Sequence, residues 1–435
     1  MDREEFRRHG HELVDWVADY LGGRVREYPV RSQVKPGEVR AQLPEAPPLQ
    51  AEPFAGVLAD FQRVLLPGIT HWQHPRFFGY FPANNSPPSV LAELLTAGLG
   101  AQCMSWETSP AAAELEEVVM DWLRQLLGLG PGWRGVIQDT ASTATLVALI
   151  CARERATGGR FNLEGAAAPD AAKLVVYASS EAHSSVEKGA KIAGFGRDRL
   201  RKVAVGVDYA MSPRALEQAV TADLAAGLRP AAVVATVGTT SSTAIDPLPA
   251  IGRVCREHGL WLHVDAALAG TAALLPEMRW ILDGVELADS FEFNPHKWMF
   301  TNFDCAAYFV RDPDFLVKTF AMSPEYLKTA HDGGVSNFRD WGVALGRRFR
   351  ALKLWFVLRA YGAEGIRARV RQHLELARRF RAWVENDPDF EVLAPAPLNL
   401  VCFRWRPRGW AAMSGEPGEL GDGPGEERGD SRELQ

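Results

Sequence analysis

No stretch of the 435-residue sequence stays apolar for the length a membrane helix requires, which argues against a bilayer span. The N-terminus, MDREEFRRHGHELVDW, is crowded with charge and has no apolar leader core, so no signal peptide and a cytoplasmic location are expected. Cysteine is scarce. Cys103, Cys151, Cys255, Cys305 and Cys402 are scattered, odd in number and without a CxxC pair, which fits reduced thiols better than a disulfide framework or a zinc site. An excess of one charge is also missing: 48 basic against 54 acidic residues leave a net charge of −6, so no nucleic-acid partner is expected. There is no GxxxxGK[ST] loop, no GxGxxG after a strand, no HExxH and no GxSxG. His71 and His74 lie three apart but lack a third ligand, so no metal is expected.

What is present is ordinary globular composition, 47% hydrophobic and 23% charged, over a length that suggests two or three domains. Residues 4–21 place Phe6, Leu13, Val14, Val17 and Leu21 on one helical face. A proline-rich stretch from Tyr28 to Pro53 reads as an extended arm. The segment HWQHPRFFGYFP (71–82) crowds aromatic rings among prolines, as a core or a cleft wall would. From residue 111 a helix is expected with Leu115, Val118, Val119, Trp122 and Leu126 on one face. Apolar runs at 173–178, 231–237, 260–264, 289–293 and 306–310 then alternate with helical segments. Continuous apolar runs between helices mark strands buried on both faces of a mostly parallel sheet, so the fold class is α/β. GRRFR (346–350) opens a long helix to Tyr361, and a second helix spans about 364–386. After Trp405, Gly, Glu, Pro and Asp dominate, a composition expected to be disordered.

Chemistry converges at the strand ends, where open α/β sheets hold ligands. Asp265 follows the run 260–264 directly. Lys297, one of only nine lysines, follows the run ending at Phe293 and sits among aromatic neighbours. Either alone is better read as a structural ion pair or a snorkelling side chain. Together, a desolvated amine and a buried carboxylate suit pyridoxal phosphate, which needs a lysine for its Schiff base and an anion beside its ring nitrogen. Thr140-Ala141-Ser142-Thr143, before a helix expected from Ala144, offers backbone N–H groups and hydroxyls to a phosphate. His183, after the strand ending near Ala178, offers a flat ring to stack on the cofactor.

Together the motifs THWQHPRFFGYFP, SWETSPAAAELE, GVIQDTASTATLVAL, AHSSVEKGA, LWLHVDAALAG, NPHKW with NFDCA, and LGRRFRALKLWF closely resemble the pyridoxal-phosphate-dependent group II amino-acid decarboxylases, in their aromatic-L-amino-acid branch and most of all its bacterial members. The resemblance runs from Phe6 to about Arg404. It implies an aspartate-aminotransferase-type fold. The arm would cover 1–85, the large cofactor-binding domain 86–360, a truncated small C-terminal domain 361–405 and a tail 406–435. It implies that Lys297 carries the cofactor, Asp265 pairs with its ring nitrogen and His183 stacks on it. Ala141, Ser142, Asn294 and His296 would surround the phosphate, with Thr240 near the ring. Tyr326 would return a proton to the substrate from a mobile loop. Trp72, Tyr80, Phe81 and Pro82 would wall the substrate pocket. A homodimer with shared sites is implied, with residues near Gln102, Met104 and Gly346 coming from the partner. The implied reaction is decarboxylation of DOPA, tyrosine, phenylalanine or tryptophan, with aldehyde synthesis as the alternative.

The sequence departs from that pattern in places. Ala83 stands where some members have Thr, and Gln102 and Met104 where they have bulky apolar residues; all three bear on the choice of substrate ring. Leu268 replaces a common aromatic. The Gly/Glu/Pro-rich tail stands where the family continues a small domain, which would leave apolar surface uncovered and raises the alternative of a catalytically impaired cofactor-binding protein.

Overall fold

A computed structural model describes residues 1–322 and 334–407. Asp2 caps the first helix, α1 (Arg3–Gly22): its carboxylate accepts from the N–H groups of Glu4 and Glu5, and Glu5 reaches back to the Asp2 N–H. The helix forms where its periodicity places it, yet Phe6, Leu13 and Val14 remain exposed. Short 3-10 turns follow, then α2 (Phe54–Asp60), α3 (Pro87–Leu99) and α4 (Pro110–Leu127). Proline opens both α3 and α4, where its missing N–H costs nothing.

The buried stripe of α4 is rotated from the expected one. It comprises Ala112, Ala113, Glu116, Val119, Met120, Leu123 and Leu127, while Val118 is exposed. A carboxylate sits inside the stripe because Arg347 meets Glu116 at 2.5 Å and the Ile137 N–H donates to it at 2.8 Å. Read as polar, Glu116 points the helix the wrong way.

The remaining elements build the sheet and its cover: β1 (Arg134–Gln138), α5 (Ala141–Thr157), α6 (Arg160–Glu164), β2 (Leu174–Ser179), α7 (Ser184–Ile192), β3 (Leu200–Val203), α8 (Pro213–Ala225), β4 (Arg229–Thr236), α9 (Leu248–His258), β5 (Trp261–Asp265), β6 (Ser290–Phe293), α10 (Pro295–Trp298), β7 (Ala306–Val310), α11 (Pro313–Phe320) and α12 (Arg350–Asn386). The strand order is β1-β7-β6-β5-β4-β2-β3. Strand β7 runs antiparallel to β1 and β6; the pairs from β6 to β3 are parallel. The mostly parallel α/β sheet is therefore as expected, with β1 and β3 as additions. Arg134, Arg201 and Lys202 interrupt those two runs and hide them from a search for apolar stretches.

Alternation sorts the core into two layers. Val175, Val233, Leu262, Phe291 and Phe309 face α4, α8, α9 and α12. Val176, Val234, Trp261, Tyr308 and Val310 face α5, α7 and α11. Helix α12 breaks at Gly362, whose φ of 65° and ψ of 164° are non-helical, and beyond it β8 (Phe390–Val392) and β9 (Phe403–Trp405) form an antiparallel pair. The expected tail lies outside the described residues from 408 onward.

Candidate active site

All parallel strands deliver their carboxyl ends to one edge. Asp265 ends β5 there, 4% exposed, with Thr236 of β4 and Glu292 of β6 in register on either side. The Ala267 N–H donates to Asp265 Oδ1 at 3.0 Å. Burial alone would raise the Asp265 pKa, but the neighbouring Glu292 carboxyl, the Lys297 charge, the Ala267 N–H and His263 hold it below the usual carboxylate value. Asp265 is thus kept as an anion without a salt bridge.

The turn after β6 presents Lys297. Helix α10 is a single turn opened by Pro295, and Asn294 ties it to the loop after β5 through its N–H to the Ala267 carbonyl (2.9 Å). His296 is buried behind it. Its Nδ1 accepts from the Cys305 N–H at 2.9 Å, and burial, then the Lys297 charge, push its pKa down to about 4. Its ring is therefore neutral and serves to hold the turn. Lys297 Nζ lies 5.1 Å from the centre of the Phe81 ring, a cation–π contact. Ser86 fastens the Phe81 segment to this turn by donating to the Phe300 carbonyl at 2.7 Å.

His183 caps α7: its Nδ1 accepts from the Ser185 N–H at 3.2 Å. Burial, opposed by Asp265 and reinforced by Lys297, lowers its pKa, so the ring is neutral. Helix α5 begins at Ala141, three residues before the expected start, because the Thr140 side chain caps it by accepting from the Thr143 N–H. The N–H groups of Ala141 and Ser142 therefore face outward at the helix start and take no acceptor among the described residues. In the loop after β4, Thr239 is buried and bonded to Ser242 and Ala244, which leaves Thr240 exposed.

The aromatic segment only partly joins this group. Phe81 reaches Lys297. Trp72 packs with Phe77 (4.7 Å) and Tyr80 (5.7 Å), and Tyr80 is 81% exposed. The Gln73 amide donates to the Ala83 carbonyl at 2.7 Å, and Pro82 and Ala83 are half-buried. Gln102, Met104 and Gly346 gather elsewhere: the Arg347 N–H donates to Gln102 Oε1 (2.7 Å), the Arg339 N–H to the Met104 carbonyl (2.8 Å), and Gly346 lies against Gln102. Among the described residues, no hydrogen bond or ring contact joins this second group to Lys297. Tyr326 lies outside the described residues. His71 serves packing, stacked on Tyr28 and bonded to the Tyr20 hydroxyl at 2.8 Å.

Several buried polar atoms at this edge have no hydrogen-bond partner among the described residues: Ser179 Oγ, Thr236 Oγ1, Asn294 Oδ1 and the Glu292 carboxyl oxygens. Folded interiors rarely leave such groups unpaired. Combined with an amine, a buried anion and a free helix start, they fit a cofactor bearing an aldehyde, a ring nitrogen and a phosphate. Residues 36–406 match the model of the pyridoxal-dependent decarboxylase conserved domain. The chain belongs to that family. This pyridoxal-dependent decarboxylase uses pyridoxal phosphate and is a carboxy-lyase. It is 46% identical over 420 residues to a phenylacetaldehyde synthase of Arabidopsis thaliana, covering 94% of this chain and 84% of that protein. It is 45% identical over 421 residues to the aromatic-L-amino-acid decarboxylase of Mus musculus, covering 93% and 86%. Among solved structures, the Oryza sativa TDC with PLP and tryptamine superposes with a TM-score of 0.90 at 39% identity, covering 93% and 84%. The aspartate-aminotransferase-type fold expected from the resemblance agrees with these neighbours.

The sequence reading missed Glu292, Thr236 and Ser179. The signal for Glu292 was available: an acid within DSFEF, inside a strand buried on both faces.

Proposed function

We propose that this decarboxylase acts on aromatic L-amino acids and releases the corresponding amine and carbon dioxide. The observation that carries this reading is the pairing of Asp265 and Lys297 at one sheet edge, with the Phe81 ring against the lysine. Pyridoxal phosphate, when bound, supplies an electron sink for the bond that breaks at the substrate Cα. Lys297 Nζ would hold the cofactor aldehyde at the turn after β6. Asp265, an anion in a dry setting, keeps a proton on the ring nitrogen. Neutral His183, at the start of α7, would offer its flat face to the cofactor ring. The N–H groups of Ala141 and Ser142, with Asn294 and His296, hold the phosphate at the positive end of α5. Thr240, exposed in the loop after β4, would be the residue nearest the ring on that side. Trp72, Tyr80, Phe81, Pro82 and Ala83 orient the substrate ring, and Tyr326 returns the proton to Cα.

A homodimer belongs to this reading. Leu91, Leu94, Leu95 and Leu99 of α3 are exposed, an apolar row that a second copy would cover. Gln102, Met104 and Gly346 then serve the partner's site.

The test is mass-spectrometric detection of amines from DOPA, tyrosine, phenylalanine, tryptophan, 5-hydroxytryptophan, histidine and glutamate, with Lys297→Ala as the control. An aromatic amine absent from the control supports the proposal; no amine from any substrate overturns it. A second reading is favoured by the aldehyde synthases among the relatives. In it the same substrate, with dioxygen and water, yields aldehyde, carbon dioxide, ammonia and hydrogen peroxide. Peroxide and aldehyde in the assay would select it.

A further inference from the structure

Glu292 is a buried titratable group to which the proposed mechanism gives no task. It is fully buried in β6, in register with Asp265 of β5 on one side and Tyr308 of β7 on the other. Strands in register lie about 4.8 Å apart, so the two carboxyls share one face of the sheet as neighbours. The Ala266 N–H donates to the Glu292 carbonyl at 3.0 Å and fixes that register. The titratable groups around Glu292 are Asp265 and His263 from β5, Tyr308 from β7 and Lys297 from α10. His263 is itself occupied through Nδ1 with the Ser290 hydroxyl at 2.9 Å. The Glu292 carboxyl lies against Asp265 at hydrogen-bonding range, and its oxygens find no other partner among the described residues.

Two carboxylates side by side in a dry interior do not both ionise; one keeps its proton. Burial and then the Asp265 charge push Glu292 well above the usual carboxylate range, while Asp265 lies below it. The proton therefore belongs to Glu292, and the nearest anion able to accept it is Asp265.

We propose that Glu292 is a positioning residue that, as the neutral acid, donates its one proton in a hydrogen bond to Asp265 and so fixes Asp265 as the anion facing the cofactor's ring nitrogen. This rests on the role given to Asp265 above. No proton is transferred: the Glu292 O–H points at one Asp265 oxygen, and the other oxygen remains for the ring N–H. The arrangement adds a hydrogen-bond donor to the Lys297 charge in keeping the ring-nitrogen partner ionised. It also gives a buried acid a partner inside β6.

The experiment titrates apoenzyme with ¹⁵N-labelled pyridoxal phosphate and follows bound-cofactor absorbance and the ring-nitrogen chemical shift in wild type, Glu292→Gln, Glu292→Leu and Asp265→Asn. A hydrogen bond to a charged group is worth enough that Glu292→Leu binds cofactor about ten- to a hundredfold more weakly, with a smaller protonated fraction of ring nitrogen at neutral pH. Glu292→Gln, which keeps a donor, restores affinity to within about threefold on the same scale. Wild-type affinity and ring protonation in Glu292→Leu overturn the proposal, as does a Gln variant as impaired as the Leu variant. If Asp265→Asn leaves both readouts unchanged, the Asp265 reading falls and this inference falls with it. If only the Asp265 variant is impaired, the inference fails alone. Should Glu292→Leu not fold, infrared difference spectra decide. A protonated carboxylic-acid band in wild-type apoenzyme that vanishes in Glu292→Gln supports the proposal, and its absence from wild type overturns it.

Discussion

His263 shows how much a single buried base governs acid stability. Burial brings its pKa down to about 4 from an ordinary 6.5, so the native ring stays neutral where the unfolded one is charged. Between those values the unfolded state binds more protons, and stability falls as pH drops from 6.5 toward 4. The full effect is about 3 kcal/mol. Replacing His263 by Gln is expected to make the acid limb of a denaturation-versus-pH series shallower by about that amount. Asp246 acts with the opposite sign: burial raises its pKa to about 6, so its contribution is lost as pH rises from 3.8 toward 6. The Glu116–Arg347 pair is the other costly residue-scale device. Arg347→Met leaves a buried carboxylate unmatched and is expected to cost about 3–5 kcal/mol by chemical denaturation, whereas replacing both partners with apolar residues costs much less. At the proposed site, Tyr326→Phe is expected to shift product from amine toward aldehyde, read by mass spectrometry of the same reaction. An unchanged amine yield counts against the role given to Tyr326.

At the scale of elements, the strands were readable because a sheet covered on both faces demands mostly apolar runs, which β2, β4, β5 and β7 have and which β6 keeps in its two phenylalanines. What followed from those runs was also readable: Asp265 and the turn bearing Lys297 fall at strand ends. Strand β1 escaped because Arg134 opens it at an exposed end, and β3 because Arg201 and Lys202 sit between its buried ends. The face of α4 escaped because a paired carboxylate looks like a solvent residue until Arg347, some 230 positions away, is known to meet it. Glu292 was overlooked because a neutral acid and a surface acid are written with the same letter. The loop after β5 holds a tight contact. A Cβ at Gly270 would sit 2.3 Å from the Phe293 Cβ, at the end of the strand that leads to Asn294 and Lys297. Gly270→Ala is expected to push that strand end outward. The expected cost is about 1–3 kcal/mol of stability, with a weaker hold on cofactor measured by absorbance titration.

For the molecule as a whole, a net charge of −6 repels a second copy only weakly. The exposed leucines of α3 and the exposed Phe6, Leu13 and Val14 of α1 offer the apolar area that association needs. Light scattering is expected to give twice the monomer mass. The paired change Leu94→Glu with Leu95→Glu is expected to halve that mass and abolish amine formation together. If the monomer keeps full activity, the sites are not shared. Strand β1 sits at one edge of the sheet with β7 as its partner there, although about 170 residues separate them in the chain. Contacts of such long sequence separation form late and slowly. During synthesis, β1 and the helix start at Ala141 therefore wait, unpaired on that side, until residues 306–310 have left the ribosome. A nascent chain arrested before that point is expected to hold no cofactor, however complete its other strands.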